Sequence, residues 1–160
     1  MRTAKNNNTP GNQNQIIPEF HISLKMKAKP SELITITDTE SAANAARRCF
    51  DADSIEWVES FIVIALNRAN KALGFYKISS GGITATVADP KVILQFALLS
   101  NATSIILVHN HPSGNLKPSF ADEQLTKKID EAASYLDIKV LDHIIVTTEG
   151  SYSFVDEGLL

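Results

Sequence analysis

Two histidines and an aspartate stand at a spacing suited to binding a metal ion. From His109 the sequence follows the pattern H-x-H-P-x6-S-x2-D, which places the second histidine at His111 and the aspartate at Asp122. Imidazole nitrogens and carboxylate oxygens are ligands of Zn²⁺, and three protein ligands leave the fourth tetrahedral position for water. Structural zinc sites are closed instead, usually by several cysteines, and this chain has 1 cysteine. The pattern therefore predicts a catalytic zinc site formed by His109, His111 and Asp122.

A strand must present the two histidines. The residues before His109, at 104–108, are an apolar run rich in β-branched side chains, which predicts a strand ending near that histidine. Strand side chains alternate between the two faces, so His109 and His111 are expected to point the same way. A less specific interpretation is that the H-x-H pair is only a hydrogen-bonded strand end.

A helix must present the aspartate. Turn residues at 112–115 are followed by Ser119, which suits the N-cap of a helix at 119–136 and leaves Asp122 in the first turn. Ser119 and Asp122 also fit a simple capping pair with no catalytic role. Ser119 is therefore expected to cap the helix in either case.

The rest of the chain predicts an α/β fold. Strands and helices alternate irregularly, with an early hairpin and a later strand-helix-strand crossover, which favours a mixed central β-sheet with helices on its faces. Periodicity and turn residues predict strands at 33–37, 59–66, 72–79, 138–147 and 152–155, and helices at 41–50 and 91–99.

Composition favours one small domain. The chain has 160 residues, of which 44% are hydrophobic, enough for a single core. An Asn- and Gln-rich tail at 1–18 is expected to be disordered, and residues 19–160 are expected to form the domain. No leader-like or membrane-spanning apolar run is visible, so the expected location is the cytoplasm, with no membrane partner. A net charge of −3 provides no basic field for nucleic acid.

Residues 58–160 resemble the RadC family, a bacterial branch of the JAB/JAMM (MPN+) metalloprotease domains. The resemblance rests on E-S-F-I-V-I-A-L-N at 59–67, I-S-S-G-G at 78–82, H-N-H-P-S-G at 109–114, P-S at 118–119 with Asp122, and L-D-H-I-I-V at 141–146. It implies the JAB/MPN, cytidine-deaminase-like architecture and a zinc hydrolase that cleaves an amide bond with metal-activated water.

The chain departs from the RadC pattern in two places. RadC proteins commonly have a histidine-proline pair after the strand-like residues 84–87, where this chain has Ala88, Asp89 and Pro90, so no ligand is expected there. The helix-hairpin-helix region that precedes the domain in full-length RadC proteins has no counterpart in this sequence, which indicates a short form.

The resemblance also implies two catalytic residues. It places the JAMM glutamate, which takes a proton from the attacking water, at Glu59. Residue patterns alone leave Glu56 as a rival, although Glu59 shares a predicted strand face with Phe61. It also gives Ser119 the role of donating a hydrogen bond to the oxygen that becomes negative in the tetrahedral intermediate.

Asp142 and His143 are candidates to support the metal ligands. Ligating imidazoles usually donate their other N–H to a carboxylate or a carbonyl. The two residues are neighbours in a predicted strand, so at most one can face the metal. Satisfying hydrogen bonds in the core is an equally consistent role for the pair.

Three functions are consistent with the sequence. The first is a JAMM-type zinc hydrolase acting on a peptide, isopeptide or related amide bond of a peptide or protein substrate. The second is a DNA-associated RadC-type role, in repair or on mobile elements, with metal-dependent nuclease activity as one form; the acidic balance disfavours it. The third is a non-catalytic MPN-like binding module, which would typically lack the ligands present here. Two other zinc classes fit less well, since H-E-x-x-H and P-C-x-x-C are absent.

Overall fold

A computed structural model describes residues 28–81 and 88–160. The predicted polar tail at 1–18 and the strand-like residues 84–87 lie outside these ranges. The helices are α1 (Thr39–Arg47), α2 (Pro90–Leu99) and α3 (Phe120–Ser134). The strands are β1 (Ser60–Leu66), β2 (Ala72–Ser80), β3 (Ser104–Asn110), β4 (Lys139–Val146) and β5 (Ser151–Ser153). Among the residues that the structure describes, no helix has the length and apolar character needed to cross a membrane.

The strands form one mixed sheet in the order β2-β1-β3-β4-β5. Strand β1 is antiparallel to both β2 and β3, and β4 is antiparallel to β5, whereas β3 and β4 are parallel. A parallel pair needs a long crossover connection, and α3 supplies it here. The predicted α/β fold with a mixed central sheet is confirmed.

Both faces of the sheet are covered. Strand β1 is buried along its whole length. Ile62 and Ile64 pack with the alanines of α1, while Phe61 and Val63 pack on the other face with residues of α2 and α3. His109 pairs directly with Phe61 in the antiparallel β1–β3 ladder. Since directly opposed residues share a face, His109 points toward the α2 and α3 layer.

The prediction of a strand at 33–37 is wrong. This segment forms a single antiparallel bridge between Thr35 and Lys71 at the β1–β2 turn. Two further bonds flank it: Ile36 N donates to Asn70 O at 2.9 Å, and Ala72 N donates to Ile34 O at 2.8 Å. A 3₁₀ turn at 30–32 precedes the bridge and a helix cap follows it at Asp38, so the extended stretch between them is too short for a ladder.

Helix α1 begins two residues before the predicted start at Ser41. Asp38 is the N-cap, and its carboxylate accepts from Ser41 N at 2.7 Å. Ser41 Oγ accepts from Asp38 N at 3.1 Å and completes a capping box. Ser41, predicted as the first residue of the helix, is instead its third residue.

The strand predicted at 152–155 is shifted to 151–153. Val155 N donates to a carboxylate oxygen of Asp142 at 3.2 Å instead of to a strand partner. This side-chain acceptor takes Val155 out of the ladder and ends β5 early. The remaining predicted elements are present with boundaries moved by up to three residues.

Candidate metal centre

Three donor atoms converge between the end of β3 and the start of α3. His109 Nε2 lies 3.0 Å from His111 Nε2 and 3.6 Å from Asp122 Oδ1. His111 Nε2 lies 4.0 Å from Asp122 Oδ2. Ligand atoms around a tetrahedral zinc ion are about 3.3–3.6 Å apart, given metal–ligand bonds of about 2.0–2.2 Å. The three side chains therefore form a group that can bind a metal ion.

His109 is fixed by the centre of the sheet. It lies on β3, which is hydrogen-bonded to β1 on one side and β4 on the other, and its side chain is 0% exposed. Phe61 stacks on its ring, with centroids 6.0 Å apart and planes 5° from parallel. Burial lowers the pKa of His109 to about 4, against a raising effect of Asp122 and with a further lowering by His111. The ring is therefore neutral near pH 7, as a metal ligand must be.

His111 is fixed by the turn that follows β3. Its backbone N donates to Val146 O at 3.2 Å, which extends the β3–β4 pairing by one residue. Its Nδ1 lies 2.5 Å from Asn115 O. A carbonyl oxygen only accepts, so Nδ1 carries a proton and Nε2 is the ring atom that faces His109 and Asp122.

Asp122 is fixed by the N-terminus of α3. Ser119 is the N-cap, as predicted, and its Oγ accepts from Asp122 N at 3.2 Å. Asp122 Oδ2 accepts from Ser119 N at 2.7 Å and from Ser119 Oγ at 2.6 Å. The Ser119 hydroxyl proton thus points at the ligating carboxylate. Its predicted catalytic role requires that proton to turn toward a substrate oxygen.

Of the neighbours Asp142 and His143, only His143 contacts the metal ligands. His143 Nε2 lies 2.8 Å from His109 Nδ1, and the ring is fully buried. Burial lowers the pKa of His143 well below its usual value, with smaller lowering effects of His109 and His111. Asp142 faces the other way and accepts from Ser153 Oγ at 2.7 Å, which is the core role that the sequence left open.

Glu59 lies directly before β1, half-buried and outside the group of three donors. Its backbone O accepts from Gly81 N at 3.0 Å. Continuing the β1–β3 register by two residues from the Phe61–His109 pair brings Glu59 level with His111. Its rival Glu56 is exposed and lines a polar pocket that also includes His111.

Asn110 is a residue at this site that the sequence analysis missed. Its side chain is 0% exposed, and its amide nitrogen donates to Ile55 O at 2.7 Å and Val58 O at 2.9 Å. Its amide oxygen accepts from Ser60 N at 2.7 Å. These bonds tie the backbone on both sides of Glu59 to β3. A polar residue at the end of a fully buried strand was the available signal.

Known proteins identify the family. A sequence profile of the RadC-like JAB domain matches residues 36–159. The chain belongs to this family. It is 50% identical over 101 residues to a UPF0758 protein of Flavobacterium johnsoniae, with 63% of this chain and 44% of that protein covered. It is 43% identical over 103 residues to a UPF0758 protein of Porphyromonas gingivalis, covering 64% and 45%.

A third relative, the UPF0758 protein YfjY of Escherichia coli, is 39% identical over 102 residues, which cover 64% of each chain. This chain matches less than half the length of the first two relatives and under two thirds of the third. The predicted resemblance to RadC-like JAB domains is thus confirmed. The relatives' names state no reaction, so activity has to be argued from the site.

Proposed function

We propose that the protein is a zinc-dependent hydrolase of the JAMM type that cleaves a peptide, isopeptide or related amide bond. The observation that carries the proposal is the group formed by His109, His111 and Asp122, with donor atoms 3.0–4.0 Å apart. Two imidazoles and a carboxylate are a donor set found in catalytic zinc sites. The family membership of residues 36–159 supports the same reaction class.

A zinc ion held by these residues would lower the pKa of a coordinated water and polarise a substrate carbonyl. Glu59 is the proposed general base: it takes a proton from the attacking water and returns it to the leaving amine. The register that brings Glu59 level with His111, and the three bonds of Asn110 around it, support this assignment.

Ser119 is the proposed donor to the oxygen that gains negative charge. Its hydroxyl donates a hydrogen bond to Asp122 Oδ2 at 2.6 Å. A cation held by that carboxylate would weaken it as an acceptor, so the hydroxyl could donate to a substrate oxygen instead. A single donor of this kind contributes about 3 kcal/mol to transition-state stabilisation.

The substrate class is proposed from the site's accessibility. The His111 and Asp122 side chains are 15% and 17% exposed, whereas His109 is buried, so substrate approaches from the side of His111 and Asp122. A polar pocket next to His111, lined also by Glu56, Ser113 and Glu149, leads to this side. An exposed approach suits an extended segment of a peptide or protein substrate.

Substrate profiling of the wild type against Glu59→Gln tests the proposal. Both proteins are first brought to one zinc per chain, measured by elemental analysis, and then given peptide and isopeptide libraries. We expect turnover by the wild type and a loss of roughly 10²–10⁴-fold in Glu59→Gln, since a positioned general base contributes about that factor.

Two results would contradict the proposal. One is a wild-type protein that binds no zinc in elemental analysis, because the proposed reaction requires the metal. Metal-dependent cleavage of DNA that is lost in Glu59→Gln, with no amide cleavage, would replace the amide by a phosphodiester and favour the DNA-associated role.

A further inference from the structure

We infer that Thr126 and His143 are positioning residues that fix the tautomer of His109, so that its Nε2 presents a lone pair to a metal ion. The inference rests on the proposed metal site and extends it to two residues that touch no metal. Thr126 Oγ1 lies 2.5 Å from His143 Nδ1, and His143 Nε2 lies 2.8 Å from His109 Nδ1. Thr126, His143 and His109 are 1%, 0% and 0% exposed.

Thr126 sets the direction of the hydrogen bonds that run from Thr126 through His143 to His109. Its hydroxyl lies 2.6 Å from Asp122 O, the carbonyl one helical turn earlier in α3. A carbonyl has no proton to give, so the single hydroxyl proton of Thr126 goes there. Thr126 Oγ1 can then only accept from His143, which places a proton on His143 Nδ1.

The remaining protons follow from burial. A neutral imidazole carries one proton, so His143 Nε2 is an acceptor once Nδ1 is protonated. A second proton would place a charge in a fully buried ring packed against Phe154, whose centroid is 4.5 Å away. His109 Nδ1 must therefore donate to His143, and His109 Nε2 is left with its lone pair toward Asp122.

The same contacts join the two structural elements that hold the ligands. Thr126 bonds to the backbone of Asp122 on α3 and, through His143 on β4, to His109 on β3. The Thr126 hydroxyl thus sets the tautomer of His109 and also the position of Asp122 relative to His109. Outer hydrogen-bond partners of metal ligands typically change metal affinity by about 10–100-fold when they are removed.

The test uses Thr126→Val, which keeps the shape and removes the hydroxyl, and Thr126→Ser, which keeps the hydroxyl. Zinc affinity is measured by competition with a chromophoric chelator, and Co²⁺ absorption spectra report the ligand field. We expect Thr126→Val to lose about 10–100-fold in zinc affinity and to show an altered Co²⁺ spectrum. Thr126→Ser should match the wild type in both.

Nitrogen-15 NMR of histidine in the metal-free protein gives an independent readout. The wild type and Thr126→Ser should show His109 with a protonated Nδ1 and an unprotonated Nε2. In Thr126→Val, a mixture of tautomers is expected, because His143 Nδ1 has lost its acceptor.

Either of two results overturns the inference. One is a folded Thr126→Val protein with wild-type zinc affinity and an unchanged tautomer. The other is a wild-type spectrum in which His109 Nε2 carries the proton, and this spectrum decides the matter even if Thr126→Val does not fold. Failure of the wild type to bind zinc would instead count against the proposed function, since the metal-free spectra report the tautomer separately.

Discussion

The two histidines of the candidate metal centre are held in opposite ways. His109 forms the inner wall of the site with Thr126 and His143, all buried in the core. His111 belongs to the outer rim, where its Nδ1 bonds to the carbonyl of Asn115 in an exposed turn. The same H-x-H pair thus yields one ligand oriented by core packing and one oriented by a local turn. Changes in the wall should affect folding and metal binding together, whereas a change at His111 should affect metal binding and chemistry with little effect on folding.

The largest expected effect compares His109→Ala with His111→Ala. Both remove a ligand and should abolish stoichiometric zinc binding, measured by elemental analysis. Only His109→Ala should also destabilise the metal-free protein, by roughly 2–4 kcal/mol in urea unfolding, because it opens a buried cavity and leaves His143 Nε2 without its donor. Equal losses of metal-free stability in the two variants would contradict the division into wall and rim.

An intermediate effect is expected on the rim from Ser119. Ser119→Ala removes the N-cap of α3 and should cost about 1 kcal/mol of unfolding free energy. Ser119→Asn keeps a capping oxygen but has no hydroxyl, so it should restore most of that stability while remaining catalytically impaired. If Ser119→Asn recovers turnover as well as stability, the hydroxyl has no catalytic role.

The smallest expected effect concerns Asp142, which precedes His143 on β4 and faces away from the site. Burial raises the pKa of Asp142, although hydrogen bonds from Ser153, Val155 and His143 partly oppose the shift, and Asp156 adds a small raising effect. A raised folded-state pKa means that this group's favourable contribution is present in acid and is lost as pH rises through the folded-state pKa.

Asp142→Asn removes that ionisation. Its melting temperature relative to the wild type should therefore increase between pH 4 and pH 8, with the two proteins closest in acid. If the melting temperature of Asp142→Asn relative to the wild type instead falls as pH rises, the folded protein stabilises the charged form of the Asp142 carboxylate. Ser100→Ala, at a buried serine in a separate hydrogen-bonded position, controls for general loss of packing.

The grouping of His109, His111 and Asp122 could be predicted from the sequence because their relative geometry is local. A strand end fixes His109 relative to His111, and a helix cap fixes Asp122, so spacing along the chain was sufficient. The mixed sheet also followed from periodicity and connection lengths. The strand at 33–37 was mispredicted because its composition suits a strand, but the chain on either side leaves room for only one paired residue.

The sequence left open whether Asp142 or His143 supports a candidate ligand, and it gave no sign of Thr126 or of the bonds of Asn110, since these contacts depend on register between distant segments. His109 and His143 meet only because β3 and β4 are parallel neighbours, and His143 meets Thr126 only because α3 crosses above β4. The bonds of Asn110 to Ile55 and Val58 span more than 50 positions. A local pattern contains no information about such pairings.

The crossover from β3 through α3 to β4 links metal binding to folding. The candidate donors lie at the end of β3 and the start of α3, and His143, which contacts His109, lies on β4. The donors and His143 are therefore brought together only while β3, α3 and β4 are packed as in the folded protein. A ligand that binds only the closed form stabilises it by RT ln(1 + [L]/Kd), or about 2.7 kcal/mol at a hundred times Kd. Slower amide hydrogen exchange in β3, α3 and β4 on adding zinc, with little change in β2, would be the visible form of that linkage.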